Sequence, residues 1–103
     1  MTDPTARQVA LRTLGRIRRD HAFAGAVLSR ELAGSALEPR ETAFATRLVH
    51  GVLATEGVLD EALARYVPRR PEPRVQDVLR LGAYELLFGR AAPYAVVDTA
   101  VRE

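Results

Sequence analysis

Residues 75–101 contain the pattern that most restricts the fold. The spacing of apolar residues predicts a helix over residues 75–88, a short turn, and another helix that opens at Pro93. The first of these helices carries two apolar ridges, which are Val75, Leu79, Gly82 and Leu86 on one side and Leu81, Tyr84 and Phe88 on the other. A helix that is apolar on more than one face belongs inside a bundle. We therefore expect it to be the central, most buried helix, with Tyr84 largely buried and its hydroxyl hydrogen-bonded.

The rest of the chain also has helical periodicity. Apolar residues recur every three or four positions, and no segment keeps the alternation of a strand. We predict an all-α bundle of about six helices, forming a single domain over residues 1–103. The first four predicted helices are one capped by Thr2 or Asp3 that ends near Arg19 or Asp20, then Phe23–Ala33, Pro39–Thr55 and Leu59–Tyr66. Gly57 is expected to separate the last two, and Gly51 to allow the close approach of another helix.

The C-terminal end of the sequence indicates a truncated helix. About ten residues follow Pro93, and they include no glycine or capping residue. We interpret the chain as a piece of a longer protein, with apolar surface left exposed at this end. The residues concerned are Leu86, Phe88, Val96, Val97 and Val101. A homodimer through this surface is a further expectation.

Composition excludes several classes of protein. The chain of 103 residues suffices for one small core, and it lacks cysteine, which excludes disulfides, thiolate metal sites and cysteine catalysis within it. No apolar run approaches the roughly 20 residues of a membrane span, and the N-terminus does not resemble a signal peptide. A cytoplasmic protein without membrane contact is expected.

No catalytic, metal or cofactor site is predicted in this chain. The two histidines, His21 and His50, have no partner at metal-ligand spacing, and the glycines are too scattered for a phosphate-binding loop. Asp60 and Glu61 are interpreted as solvated residues in the first turn of the fourth predicted helix. Asp98 is interpreted as a carboxylate that interacts with the dipole near the start of the helix that opens at Pro93.

The arginines are the one candidate binding group. All 15 basic residues are arginine, and residues 1–19 carry five of them against Asp3 alone, a charge of +4 in a chain of net charge +2. Arg12, Arg16 and Arg19 are spaced to form one row, with Arg7 and Arg18 on another flank. We predict that the row is exposed, mostly without carboxylate partners, and that all five contact RNA phosphates. The alternative is an ordinary solvated helix face.

A second basic cluster flanks the proline-rich segment between the fourth and fifth predicted helices. It consists of Arg65, Arg69, Arg70 and Arg74. Loops are commonly charged, so an ordinary solvated loop is the favoured interpretation there.

Several segments together resemble the NusB-like family of all-helical RNA-binding domains. The segments are Phe44–Leu53, Leu59-Asp60, Leu79–Phe88 and Pro93–Val97, and the resemblance extends from about Arg7 to Val101. Two branches fit: the N-terminal domain of bacterial 16S rRNA cytosine-C5 methyltransferases, which is closer, and the free-standing transcription antitermination factor. The amino-acid sequence of residues 87–95 and the short loop between Tyr66 and Val75 resemble the methyltransferase branch.

The resemblance implies a function for the chain. It would be an RNA-binding accessory domain that holds 16S rRNA for a downstream S-adenosylmethionine-dependent catalytic domain, with neither catalytic residues nor cofactor in this chain. The antitermination branch would add a small ribosomal protein as partner. The resemblance also implies that the arginines of the first helix face RNA, although only Arg7 and Arg12 match the family's usual basic positions. A protein-interaction bundle without a nucleic-acid ligand is the third alternative.

Overall fold

The computed structural model describes residues 5–89, which form an all-α fold. Its four helices are α1 (Ala6–Asp20), α2 (Ala24–Ala33), α3 (Pro39–Ala64) and α4 (Pro73–Phe88). Helix α1 packs against all three others, and α3 packs against α4. The predicted class is therefore confirmed, whereas the predicted number of about six helices is too high for this part of the chain.

Helix α1 begins later than the sequence pattern suggested. Its N-cap is Thr5, whose hydroxyl accepts a hydrogen bond from the Gln8 amide at 3.1 Å while the Gln8 side chain accepts one from the Thr5 amide at 2.8 Å. This reciprocal capping box satisfies two otherwise unpaired N–H groups. The prediction of Thr2 or Asp3 as the cap is wrong because Thr5, unlike them, has a glutamine three positions later.

Helix α3 continues through Gly57, so the predicted break into two helices is wrong. Leu48, Val52 and Leu59 are buried along one side of the continuous helix. The packing of this stripe outweighs the roughly 1 kcal/mol that glycine costs inside a helix. A side-chain carbon added at Gly57 would have no neighbour within 4 Å among residues 5–89, apart from the helix's own backbone.

The hydrophobic core lies among α1, α2, α3 and one face of α4. Its central members are Ala10, Leu14, Leu28, Leu48, Val49, Val52, Leu59 and Leu81. Ala6, Ala10, Thr13 and Leu14 of α1 and Val27 and Leu28 of α2 are all buried, which agrees with the three- and four-residue recurrence of apolar positions.

Helix α4 buries only one of its two predicted apolar ridges. The ridge of Val75, Leu79, Gly82 and Leu86 lies at or near the surface, with Val75 and Leu86 exposed, whereas Leu81 of the other ridge is in the core. The buried residues are Gln76, Asp77, Arg80, Leu81 and Glu85. Helical periodicity alone predicts that apolar residues face inward, and here ion pairs with α1 and α3 bury polar residues beside Leu81. The prediction that this helix is the most buried element is therefore wrong.

The aromatic side chains at the end of α4 also differ from expectation. Tyr84 is only partly buried, and its hydroxyl has no hydrogen-bond partner within residues 5–89. Its ring instead packs directly against Gly51 of α3. The close approach predicted at Gly51 is confirmed. Leu86 and Phe88 are half exposed, as the sequence suggested.

Some predictions concern residues outside those described. These are the helix starting at Pro93, the role of Asp98, and the exposure of Val96, Val97 and Val101. Self-association through this end stays a prediction. Within the described part of the chain, no helix is long and apolar enough to cross a membrane.

Candidate nucleic-acid interface

A charged network centred on Asp60 joins α3 to α4. The Arg80 guanidinium donates two hydrogen bonds to the Asp60 carboxylate, each 2.7 Å long. Gln76 donates a third at 2.9 Å, and Arg70 lies 3.7 Å from the same carboxylate. The hydrogen bond from Arg80 is the main reason that the pKa of Asp60 is lowered, whereas partial burial acts in the opposite direction. The interpretation of Asp60 as part of a solvated first turn is wrong.

Arg80 extends this network to α1. Its side chain is only 8% exposed, and it also contacts Glu56 at 2.9 Å and Asp77 at 3.7 Å. Asp77 in turn accepts a hydrogen bond from Arg18 at 3.0 Å. Helices α1, α3 and α4 are thus joined through the buried guanidinium of Arg80. The pKa of Arg80 is raised, mainly by its hydrogen bonds to Asp60. Charges of this kind are tolerated inside a protein when they are paired and hydrogen-bonded.

A second ion pair joins the other ends of α1 and α4. Arg7 donates to both carboxylate oxygens of Glu85, at 3.0 and 2.7 Å. The Arg7 guanidinium carbon also lies 5.1 Å from the centre of the Phe44 ring, which is within cation–π range. Because Arg7 contacts Glu85 at one end and Arg18 contacts Asp77 at the other, α1 and α4 run antiparallel.

A third group joins α1 to α2. Glu31 of α2 accepts a contact of 2.9 Å from Arg16 and a longer one of 3.8 Å from Arg12. The two arginine side chains remain about half exposed, at 45% and 52%. One carboxylate therefore offsets part of the charge of two guanidinium groups that still face solvent.

The prediction of an arginine row mostly free of carboxylates is wrong. Four of the five arginines in α1 are paired, and only Arg19 has no carboxylate partner among the described residues. The acids lie on α2 and α4, as far as 78 residues away in sequence. A count of charges within residues 1–19 could not reveal them.

Seven exposed arginines have no carboxylate partner within residues 5–89. They are Arg19, Arg30, Arg40, Arg47, Arg65, Arg69 and Arg74. Three of the seven belong to the cluster at the proline-rich loop, and Arg70 of that cluster has only the long contact with Asp60. Arg40 and Arg47 were not predicted as binding residues, although their seven-residue spacing around Phe44 could have indicated one basic face.

The ion pairs also fix where these arginines lie. Arg18 contacts Asp77 in the first half of α4, and Arg80 contacts Asp60 in the last third of α3. The C-terminal ends of α1 and α3 therefore meet the N-terminal end of α4. Arg19 and the loop arginines belong to this same end of the bundle, which we call the loop end.

No metal site accompanies the basic residues. Within residues 5–89 there is no group of three or more histidine, cysteine, aspartate or glutamate residues that could hold a metal ion. The acids of the described region are instead engaged by guanidinium groups or lie singly at the surface.

The all-α fold and the comparisons agree on the class of protein. The chain is a small helical domain whose sequence matches the NusB family over residues 4–102. It belongs to the NusB family.

Curated relatives include proteins of two names. A Mycobacterium tuberculosis protein named "Putative methyltransferase" is 38% identical over 104 residues, which cover 98% of this chain and 22% of the relative. The transcription antitermination protein NusB of Xanthomonas axonopodis pathovar citri is 37% identical over 95 residues, covering 89% of this chain and 60% of the relative. The chain thus spans about a fifth of the mycobacterial protein's length. No solved structure matches the sequence significantly.

Proposed function

We propose that the chain is an RNA-binding accessory domain of a 16S rRNA cytosine-C5 methyltransferase. The observation that carries the proposal is the alignment of 98% of the chain with 22% of a protein named as a methyltransferase. In this proposal the domain holds rRNA, while a separate catalytic domain binds S-adenosylmethionine and methylates a cytosine turned out of its stack. No residue of this chain is assigned to the cofactor or to the chemical step.

The loop end of the bundle is the proposed phosphate-binding surface. Arg19, Arg65, Arg69 and Arg74 are exposed there without carboxylate partners in the described part of the chain. Guanidinium groups bind phosphate through paired N–H donors, and such contacts supply the sequence-independent part of RNA affinity. The charges of these four residues are therefore available to an RNA backbone.

The other arginines of α1 have a different role in the proposal. Arg7 and Arg18 are held by Glu85 and Asp77, so they fasten α1 to α4. Arg12 and Arg16 share Glu31 and keep an exposed side, which allows a weaker contact with phosphate. Arg19 is then the α1 arginine that contributes most to RNA binding.

An antitermination factor is the alternative function. The Xanthomonas relatives favour it, since one of them is 40% identical over 78 residues and bears the name transcription antitermination protein NusB. Such a factor would act on RNA together with a small ribosomal protein. The gene sequence that follows the codon for Glu103 distinguishes the two: a catalytic domain indicates a methyltransferase, and about two further helices indicate the factor.

Substitution of the loop arginines tests the proposed surface. We expect the triple change Arg65→Gln, Arg69→Gln and Arg74→Gln to reduce the slope of log affinity against log salt by roughly 2, since each lost phosphate contact removes about 0.7–0.9. The free energy of unfolding should change by less than about 0.5 kcal/mol per site, because these side chains are exposed. Filter binding of a 16S rRNA fragment over a salt series measures the slope.

The double change Arg12→Gln and Arg16→Gln is the matched control. These two guanidinium groups are partly neutralised by Glu31, so the change in slope per substituted residue should be smaller than for the loop arginines. An equal or larger loss per residue in the double variant would place the phosphate contacts on α1 and refute the loop-end assignment.

A further inference from the structure

The opposite end of the bundle carries an aromatic ring with two guanidinium groups within cation–π range. The Arg7 and Arg47 guanidinium carbons lie 5.1 and 5.3 Å from the centre of the Phe44 ring. Arg47 is exposed and has no carboxylate partner among residues 5–89, and Arg40 shares both properties one helical repeat earlier. The Phe44 ring thus lies near the positive charges of Arg40 and Arg47, which no carboxylate among residues 5–89 neutralises.

A cleft opens beside this ring, between α3 and the last turns of α4. Its volume is about 320 Å³, which falls within the usual range for small-molecule sites. Phe44, Arg47, Tyr84 and Phe88 line it, and the Arg7–Glu85 ion pair forms part of its wall. The Tyr84 and Phe88 rings are 5.7 Å apart and tilted by 32°, and Phe88 is half exposed. The cleft is therefore lined by three aromatic rings and the Arg47 guanidinium, which are groups of the kind that pack against planar bases.

We propose that this cleft binds an unpaired base of single-stranded RNA, with Arg40 and Arg47 on the flanking phosphates. Proteins bind such bases by stacking them on aromatic rings and guanidinium planes, and they hold the backbone with nearby cations. A duplex would have to lose a base pair to fill the same cleft. The choice of RNA rests on the function proposed above, whereas the preference for a single strand follows from the cleft alone.

The site differs from the loop end in position and in the interaction it supplies. Phe44 lies in the first two turns of α3, and Arg7 and Glu85 mark the N-terminal end of α1 and the C-terminal end of α4. The loop end is formed by the opposite ends of these helices. One site is thus expected to hold phosphates only, and the other to hold a base together with its phosphates.

Two substitutions separate stacking from charge in a single-stranded RNA that carries one 2-aminopurine. Phe44→Leu keeps apolar volume but removes the ring, and we expect it to weaken binding about tenfold without changing the salt slope. The pair Arg40→Gln and Arg47→Gln should reduce the slope by about 1.4, as two single-strand phosphate contacts would. Unaltered protein should quench the 2-aminopurine fluorescence, and Phe44→Leu should lose the quenching.

Arg30→Gln is the matched control, since Arg30 is an exposed, unpaired arginine of α2, which does not pack on α4. It should leave quenching unchanged. If Phe44→Leu fails to fold, Arg47→Gln with the fluorescence readout still tests the cleft. Binding of single-stranded RNA by the unaltered chain, with no quenching and no effect of either substitution, would overturn the cleft inference but leave the proposed function standing. An absence of RNA binding by the unaltered chain would instead refute the proposed function.

Discussion

Asp60→Ala is expected to destabilise the domain by about 2–4 kcal/mol. The substitution removes two 2.7 Å hydrogen bonds from Arg80, a guanidinium whose side chain is only 8% exposed. A buried charge that loses its partner costs several kcal/mol, although Glu56 and Asp77 retain part of the pairing here. Urea unfolding followed by circular dichroism measures the loss.

Glu61→Ala is the control for this prediction. Glu61 is adjacent in sequence but exposed, and it takes part in no ion pair within the described region. Its replacement should change the free energy of unfolding by less than about 0.5 kcal/mol. Equal effects of the two substitutions would show that the Asp60–Arg80 pair does not stabilise the junction between α3 and α4.

The pair also predicts a dependence on pH. The pKa of Asp60 is lower in the folded protein than in the unfolded chain, mainly because Arg80 donates hydrogen bonds to its charged form. The stabilisation is therefore complete above the unfolded pKa, which is about 4, and is lost as the pH falls through the folded pKa. The stability difference between the unaltered protein and Asp60→Ala should shrink below pH of about 4 and stay constant above it.

Gly51→Ala is expected to destabilise the fold by up to about 2 kcal/mol. A side-chain carbon at this position would overlap the Tyr84 ring, so the ring or the helices would have to move. Overpacking of this kind costs about 1–3 kcal/mol, of which the better helix propensity of alanine returns about 1. Thermal unfolding of the two proteins measures the difference.

Gly82→Ala provides the opposite case in the partner helix. Apart from the helix's own backbone, no atom of the described residues lies within 4 Å of the added carbon, so only the helix propensity changes, and stability should rise by about 1 kcal/mol. In a Tyr84→Leu background, Gly51→Ala should also cost less, since the overlapping ring is gone. An unchanged cost in that background would contradict close packing between Gly51 and Tyr84.

The sequence predicted the fold class well because helical periodicity is a local property. The starts of α3 and α4 follow from Pro39 and Pro73 in their first turns, and the buried face of α1 follows from its three- and four-residue spacing. The orientation of α4 could not be predicted in this way. The ridge that contains Val75, Leu79 and Leu86 has the same period as the polar residues, and ion pairs with other helices turn the polar residues inward beside Leu81.

The candidate site shows the same limit. The sequence identified the five arginines of α1 as a group. Whether each one is paired with a carboxylate depends on Glu31, Asp77 and Glu85, which only the tertiary structure brings close. Phe44 and Arg47 were assigned no common site for the same reason, since their cleft is completed by α4. Sequence reasoning could identify cations, but it could not show which of them are already neutralised.

The salt dependence of binding between the unaltered chain and a 16S rRNA fragment tests the central claim most directly. Four loop-end arginines that each engage one phosphate contribute about −3 to the slope of log affinity against log salt, in addition to any contribution from Arg40 and Arg47. A variant with Arg19, Arg65, Arg69 and Arg74 all changed to glutamine should bind more weakly, with a slope shallower by about 3. Absence of binding at low salt, or a slope that is the same in both proteins, would contradict an RNA-binding domain built on these residues.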